Sequence, residues 1–168
     1  MSLKIEVRKA NPNMDSQDIA RLIEICREER RTILDYYTVE EEKKYLKNLH
    51  RRDAVFVARI EGTKFAGFAA IAQRWSYSKR LQHCGEVGTW VMPTYRRRGV
   101  GTALWQVGVF SWCRKSEFKH LRFFIMVHNT DSIAFYENLG FRACGYHRRL
   151  VNWDGQFLDA IEMEMWLK

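Results

Sequence analysis

The sequence predicts a single α/β (α+β) domain, 1–168, and three observations carry that expectation. Strand-like and helix-like periodicities follow one another as β-α-α-β-β-β-α-β-α-β-β, the order of a sheet flanked by helices. Residues 89–127 read as a strand–helix–strand crossover, which sets two strands parallel. The run LRFFIMV (121–127) is apolar on both faces, as a central strand requires. A chain of 168 residues can bury one core of this kind, and no repeat, low-complexity tract or linker divides it.

Each element has its own local reason. KIEVRK (4–9) alternates and opens as a strand. Asp15 or Ser16 can cap a helix to about Glu29, with Ile19, Leu22, Ile23 and Cys26 as its apolar stripe. Thr38-Val39-Glu40-Glu41 has capping-box spacing, so a second helix follows to about Asn48. AVFVARI (54–60) and KFAGFAAIAQRW (64–75) flank a Gly-containing turn and form a hairpin. CGEVGTWVM (84–92) is a strand stopped by Pro93. Gly99 to about Ser116 is a helix with apolar residues on several sides, which suits packing on a sheet and permits a homodimer. After 121–127 comes a short helix, Asp131 to Leu139, ended by Gly140. The last two strands turn around Asp154-Gly155.

Composition excludes several classes. MSLKIEVRKA carries no signal-peptide core, and no run approaches the ~20 apolar residues of a membrane helix, so a soluble, cytoplasmic protein with no membrane partner is expected. Cys26, Cys84, Cys113 and Cys144 form no CxxC pair, and the five histidines show no HExxH spacing. Neither a disulfide framework nor a metal site is expected. The net charge of +8 is unevenly spread. Residues 93–128 hold seven Arg or Lys against Glu117 alone, whereas residues 15–42 hold nine acids against four arginines. Such asymmetry draws ligands of opposite sign to different places.

The basic segment contains TYRRRGVGTAL. It is no P-loop, because the lysine of GxxxxGK[ST] is missing. It is no dinucleotide fingerprint, because Leu104 stands where the third small residue belongs. What remains is Arg96-x-x-Gly99-x-Gly101 between a proline-stopped strand and a helix. The first amides of a helix have no intrahelical acceptor and carry partial positive charge, so such a loop can seat a diphosphate with arginines on its outer oxygens.

WVMPTYRRRGVGTAL resembles the acyl-CoA signature of the GNAT N-acetyltransferases, V-x-P-x-[YW/H]-[RQ]-x-x-G-x-[GA]-x-x-L. A second block, Asn129-x-x-Ser132-x-x-Phe135-Tyr136-x-x-x-Gly140-Phe141, is similar to the family's N-x-x-[AS]-x-x-[LF]-Y-x-x-x-G-F. The resemblance covers residues 84–145. It implies a GNAT-type domain, with a mixed, twisted sheet of about six to seven strands splayed between strands 4 and 5. It also implies acetyl-CoA as cosubstrate and an amine as acceptor.

The same resemblance implies roles. Glu86, seven residues before Pro93, stands where members similar to phosphinothricin or ribosomal-protein acetyltransferases often carry the general base, acting directly or through water. His83 is a competing base, and a covalent route through Cys84 is a further alternative, one that needs an adjacent base in fixed geometry. Tyr136 is the general acid that protonates the leaving thiolate. The backbone of Val91 and Met92 takes the acyl carbonyl and the pantetheine arm. Arg96, Arg97, Arg98, Gly99, Val100, Gly101 and Thr102 form the pyrophosphate loop, and Asn129 caps a helix and contacts the arm. The acidic first helices, with Glu24, Glu28, Glu29, Asp35, Glu40, Glu41 and Glu42 around Tyr36 and Tyr37, suggest a cationic acceptor such as an amino acid, a polyamine or a protein amine. Two other classes compete: a basic nucleic-acid-binding module, for which no RRM, KH or helix-turn-helix signature is found, and a GNAT-like domain that binds CoA without chemistry.

Overall fold

A computed structural model describes residues 3–168. The strands are β1 (Ile5–Lys9), β2 (Ala54–Ile60), β3 (Lys64–Ala72), β4 (Cys84–Val91), β5 (His120–Met126), β6 (Arg142–Trp153) and β7 (Gln156–Trp166). The helices are α1 (Ser16–Glu28), α2 (Val39–Lys47), α3 (100–116) and α4 (Thr130–Leu139). The strands form one sheet in the order β1-β2-β3-β4-β5-β7-β6. Every neighbouring pair is antiparallel except β4 and β5, the two joined by the crossover through α3.

That parallel pair is short. It is laddered only at Cys84–His120, Gly85–Leu121 and Glu86–Arg122, after which the two strands part. β4 continues to Val91 and β5 to Met126 without meeting again, which is the splay expected between strands 4 and 5.

Two cores hold the layers together, one on each face. In β2 the period of two sends Phe56, Ala58 and Ile60 against Trp105 and Val109 of α3, and Val55 and Val57 against Ile19, Leu22 and Ile23 of α1. Burying a side chain of this size contributes about 1.5–3 kcal/mol, so both faces of the central strands stabilise the fold.

Two details differ from the sequence-based expectation. Asp15 precedes α1 but makes no cap with its side chain. Its carboxylate is fully buried and accepts hydrogen bonds from Arg8 (2.6 and 2.9 Å), Arg59 (2.8 Å) and the Asn11 amide (2.7 Å), because those charged donors outcompete a helix amide. Helix α3 is not uniform. It widens to π-type hydrogen bonding over Leu104–Val109, where the Phe110 amide reaches back to the Trp105 carbonyl. The Thr38–Glu41 capping box forms as expected, with Glu41 N–H donating to Thr38 Oγ1 (3.2 Å) and Thr38 N–H to Glu41 Oε2 (2.9 Å).

Candidate active site

The site follows from how β4 is turned. The Met92 amide donates to the Ala66 carbonyl of β3 (2.9 Å). Alternation in the antiparallel ladder therefore turns the backbone groups of Trp90 and Gly88 to β3 and those of Thr89 and Val91 toward the β5 side, where no strand receives them. Side chains alternate as well. Glu86, Gly88 and Trp90 face α1 and α2, whereas Val87, Thr89 and Val91 face α3 and α4.

On the α3–α4 side the gap is filled by Tyr136, which is 4% exposed. Its ring is held by Phe123 (4.1 Å between centroids), Phe135 (5.2 Å) and Phe141 (5.4 Å), with Trp105 edge-on at 6.0 Å. Its hydroxyl donates to Thr89 Oγ1 at 3.1 Å, and Trp105 Nε1 donates to the same oxygen at 2.8 Å. Burial pushes the phenol above the ordinary tyrosine range, against opposing hydrogen bonds from the Thr89 side chain and amide. A tyrosine in this setting stays protonated and holds a proton beside strand backbone that no neighbouring strand pairs.

On the α1–α2 side lies a cleft of about 660 Å³, floored by β3, β4 and β5. Glu86 opens into it and is ion-paired with Arg74. A second cleft of about 440 Å³ lies at the start of α3. The two meet at Arg31, Thr89, Trp90, Ser132 and Tyr136, which line both. Glu86 and Tyr136 thus stand on opposite faces of β4 and communicate through the gap.

The second cleft is lined by Val91, Arg96, Arg97 and the run Gly99–Thr102. Gly99 adopts φ +83°, a left-handed conformation that costs other residues about 1–2 kcal/mol. Gly101 is required for another reason: a Cβ there would stand 2.9 Å from Phe135 Cζ, so the first turn of α3 presses directly on α4. The arginines part company. Arg97 and Arg98 are exposed, and only Arg97 of that pair lines the cleft. Arg96 is fastened, its Nε donating to the Val91 carbonyl (3.1 Å) and its Nη1 to Glu29 Oε1 (3.0 Å). Met92 uses both backbone groups internally, donating to Ala66 and accepting from the Tyr95 amide (2.8 Å). Asn129 occupies the N-cap of α4 without a side-chain cap. Its Oδ1 accepts from Ser132 Oγ (3.0 Å) and Arg31 Nη1 (3.3 Å), tying α4 to the segment after α1.

Compared with known families, the sequence matches the acetyltransferase (GNAT) family over residues 17–141. The chain belongs to this family. GNAT structures also share its fold. Ribosomal-protein-alanine N-acetyltransferase from Brucella melitensis superposes with a TM-score of 0.85 at 23% identity, covering 96% of this chain and 99% of that one. The N-acetyltransferase from Staphylococcus aureus Mu50 gives 0.85 at 20%, covering 98% and 99%. The yncA protein from Salmonella typhimurium, solved with its cofactor acetyl-CoA, gives 0.87 at 17%, covering 98% and 95%. No curated protein matches the chain in sequence.

Within this GNAT domain several residues of the site escape motif reading. Thr89 and Trp105 carry no signal, because their importance lies in a contact between β4 and the π segment of α3. Glu42 was legible in principle, since it shares an i, i+4 face with the core residue Leu46. His83 stacks on Trp166 at 5.8 Å, and Cys84 lies 3.7 Å from His120; neither lines the two clefts. Among the described residues no helix is long and apolar enough to cross a membrane.

Proposed function

We propose that the protein is an acetyl-CoA-dependent N-acetyltransferase that acts on a primary amine by direct attack in a ternary complex. The observation that carries this reading is the meeting of two clefts at a strand gap, with the protonated Tyr136 hydroxyl at the junction. The second cleft fits the cosubstrate. Its left-handed Gly99, the unpaired first-turn amides of α3 and the exposed Arg97 suit a diphosphate, and the Thr89 carbonyl and Val91 amide, which no neighbouring strand receives, suit an amide-bearing arm. When bound, acetyl-CoA supplies a thioester acyl group.

The chain's own groups do the rest. An alkylamine with a pKa near ~10.4 must lose a proton before it can attack. Glu86 accepts that proton through water, since three residues of strand, about 10 Å, separate it from Thr89. The carboxylate must first loosen its ion pair with Arg74. Tyr136 rotates its O–H from Thr89 into the gap and protonates the departing sulfur. Arg96 keeps the loop anchored through Glu29 and Val91, and Asn129 holds α4 so that Tyr136 keeps its place.

The test is to incubate the protein with acetyl-CoA and a panel of amines while following free thiol. Wild type should release thiol with at least one amine. Tyr136→Phe should lower kcat about 10²–10⁴-fold while leaving the KM for acetyl-CoA unchanged. Calorimetry showing no heat with acetyl-CoA at low salt would end this reading.

A further inference from the structure

Three consecutive glutamates open α2, and they do three different things. Glu40 is exposed, and Glu41 is consumed by the capping box. Glu42 is turned inward. It is 5% exposed, lies one turn before the core residue Leu46 and lines the 660 Å³ cleft. Among the described residues no hydrogen bond or ion pair reaches its carboxylate. A carboxylate so largely withdrawn from water, touching solvent only through the cleft and without a partner, is destabilised when ionised, so such a group calls for a cation.

We infer that Glu42 is the counterion for the acceptor, and that the acceptor is an organic cation with an apolar body and no carboxylate of its own. This inference rests on the acyl-transfer reading for its link to turnover, but the ion pair itself does not need the chemistry. Three observations support it. The wall of the cleft that Glu42 lines is largely apolar and aromatic, with Phe68, Ala70, Trp90 and Phe124 among its members. Trp90 is stacked on Phe68 at 4.5 Å and pinned by its Nε1 to Thr32 Oγ1 (3.1 Å), so this floor is preformed. Such a wall receives a hydrocarbon or a ring.

The second observation is the state of the remaining charges. Arg31 already donates to Asn129 and lies within 3.9 Å of Glu29 and 3.8 Å of Asp131. Arg74 is held by Glu86. Lys44 also lines the cleft and makes no ion pair, but it is exposed to solvent, so no buried, unpaired cation among the described wall residues stands ready for an acceptor's carboxylate. The third observation is electrostatic. Burial raises the Glu42 carboxyl to about 7, and the Tyr45 phenol is pushed up to about 12, first by desolvation and then by Asp53, Glu42, Tyr37 and Glu86. Glu42 and Glu86 both line this one cleft. An incoming ammonium meets one carboxylate at the splay and another on α2.

The experiment uses matched probes, phenethylamine and phenylalanine, which differ only in the carboxylate. Binding to the full chain is measured by calorimetry at pH 8 for wild type, Glu42→Gln and Glu40→Gln. Thiol release with acetyl-CoA is measured in parallel. Wild type should bind phenethylamine about tenfold or more tightly than phenylalanine. Glu42→Gln should weaken phenethylamine binding by a similar factor, and Glu40→Gln should leave it unchanged. Where turnover is seen, the loss should fall on the acceptor KM and leave the KM for acetyl-CoA untouched. Equal binding of the two probes, no binding of phenethylamine to wild type, or unchanged binding in Glu42→Gln would each overturn the inference. Intact, Glu42-dependent binding without thiol release from any amine would instead overturn the acyl-transfer reading and leave the counterion standing.

Discussion

Tyr136 shows how much of a residue's chemistry comes from what surrounds it. Four aromatic neighbours exclude water from its ring, and Thr89 is the partner that receives its proton. Because burial raises its pKa, the phenol remains an acid throughout the range in which most amines are assayed. The alkaline limb of a wild-type pH–rate profile up to pH 9.5 should therefore be unchanged in position in Tyr136→Phe, with only its height lowered. A limb that moves or vanishes in the variant would show that Tyr136 itself titrates there. At this scale the sequence was informative where a residue sits in a linear motif, as Tyr136, Gly99 and Gly101 do. It was silent on Thr89, because nothing in VGTWV says that its hydroxyl will meet an indole sixteen positions later. It named Glu42 only as one of seven acids suggesting a cationic acceptor, since a run of like charges hides the one position that faces inward.

At the scale of elements, the two motif blocks prove to be a single mechanical unit. Gly101, in the first turn of α3, lies against Phe135, the residue beside Tyr136 on α4. A methyl group at position 101 must push that ring, and with it Tyr136. Gly101→Ala should lower acetyl-CoA affinity and kcat together, each by about tenfold or more. Phe135→Leu in the same chain should recover part of both losses, as steady-state kinetics of the double-mutant cycle would reveal. Failure of the second substitution to rescue would mean that the glycine serves the loop alone. The existence and order of these elements were legible because hydrophobic period and capping residues are local properties. The π segment of α3 was not, since it reflects Trp105 reaching Thr89 and Gly108 lying under Phe56, both contacts between distant parts of the chain. The fastening of Arg96 to Glu29 was likewise hidden, because 67 residues separate the partners.

At the scale of the whole molecule, two buried carboxylates, Asp15 and Glu42, respond to pH in opposite directions. Burial alone would raise the Asp15 carboxyl, but hydrogen bonds from Arg8, Arg59 and the Asn11 amide hold it below its ordinary 3.8. Its contribution to stability is present above that value and lost as pH falls through the folded-state pKa. Glu42 moves the other way, from 4.5 to about 7, so its contribution is complete below 4.5 and lost as pH rises through 7. Chemical denaturation should find stability declining by about 3 kcal/mol between pH 4.5 and 8.5, and Glu42→Gln should flatten that decline. A decline of equal size in the variant would assign it to other groups. The same global view explains why the splay could be expected only by family likeness: β4 and β5 each read as ordinary strands, and only their register reveals that they separate after Glu86. From that separation, neighbouring peptide units of one strand are left with different fates. The N–H groups of Gly88 and Trp90 are locked to β3, whereas Val91 can turn to water. Deuterium should enter the end of β4 in a two-residue rhythm that an unbroken sheet would not produce, and a molecule threaded into the gap should erase it.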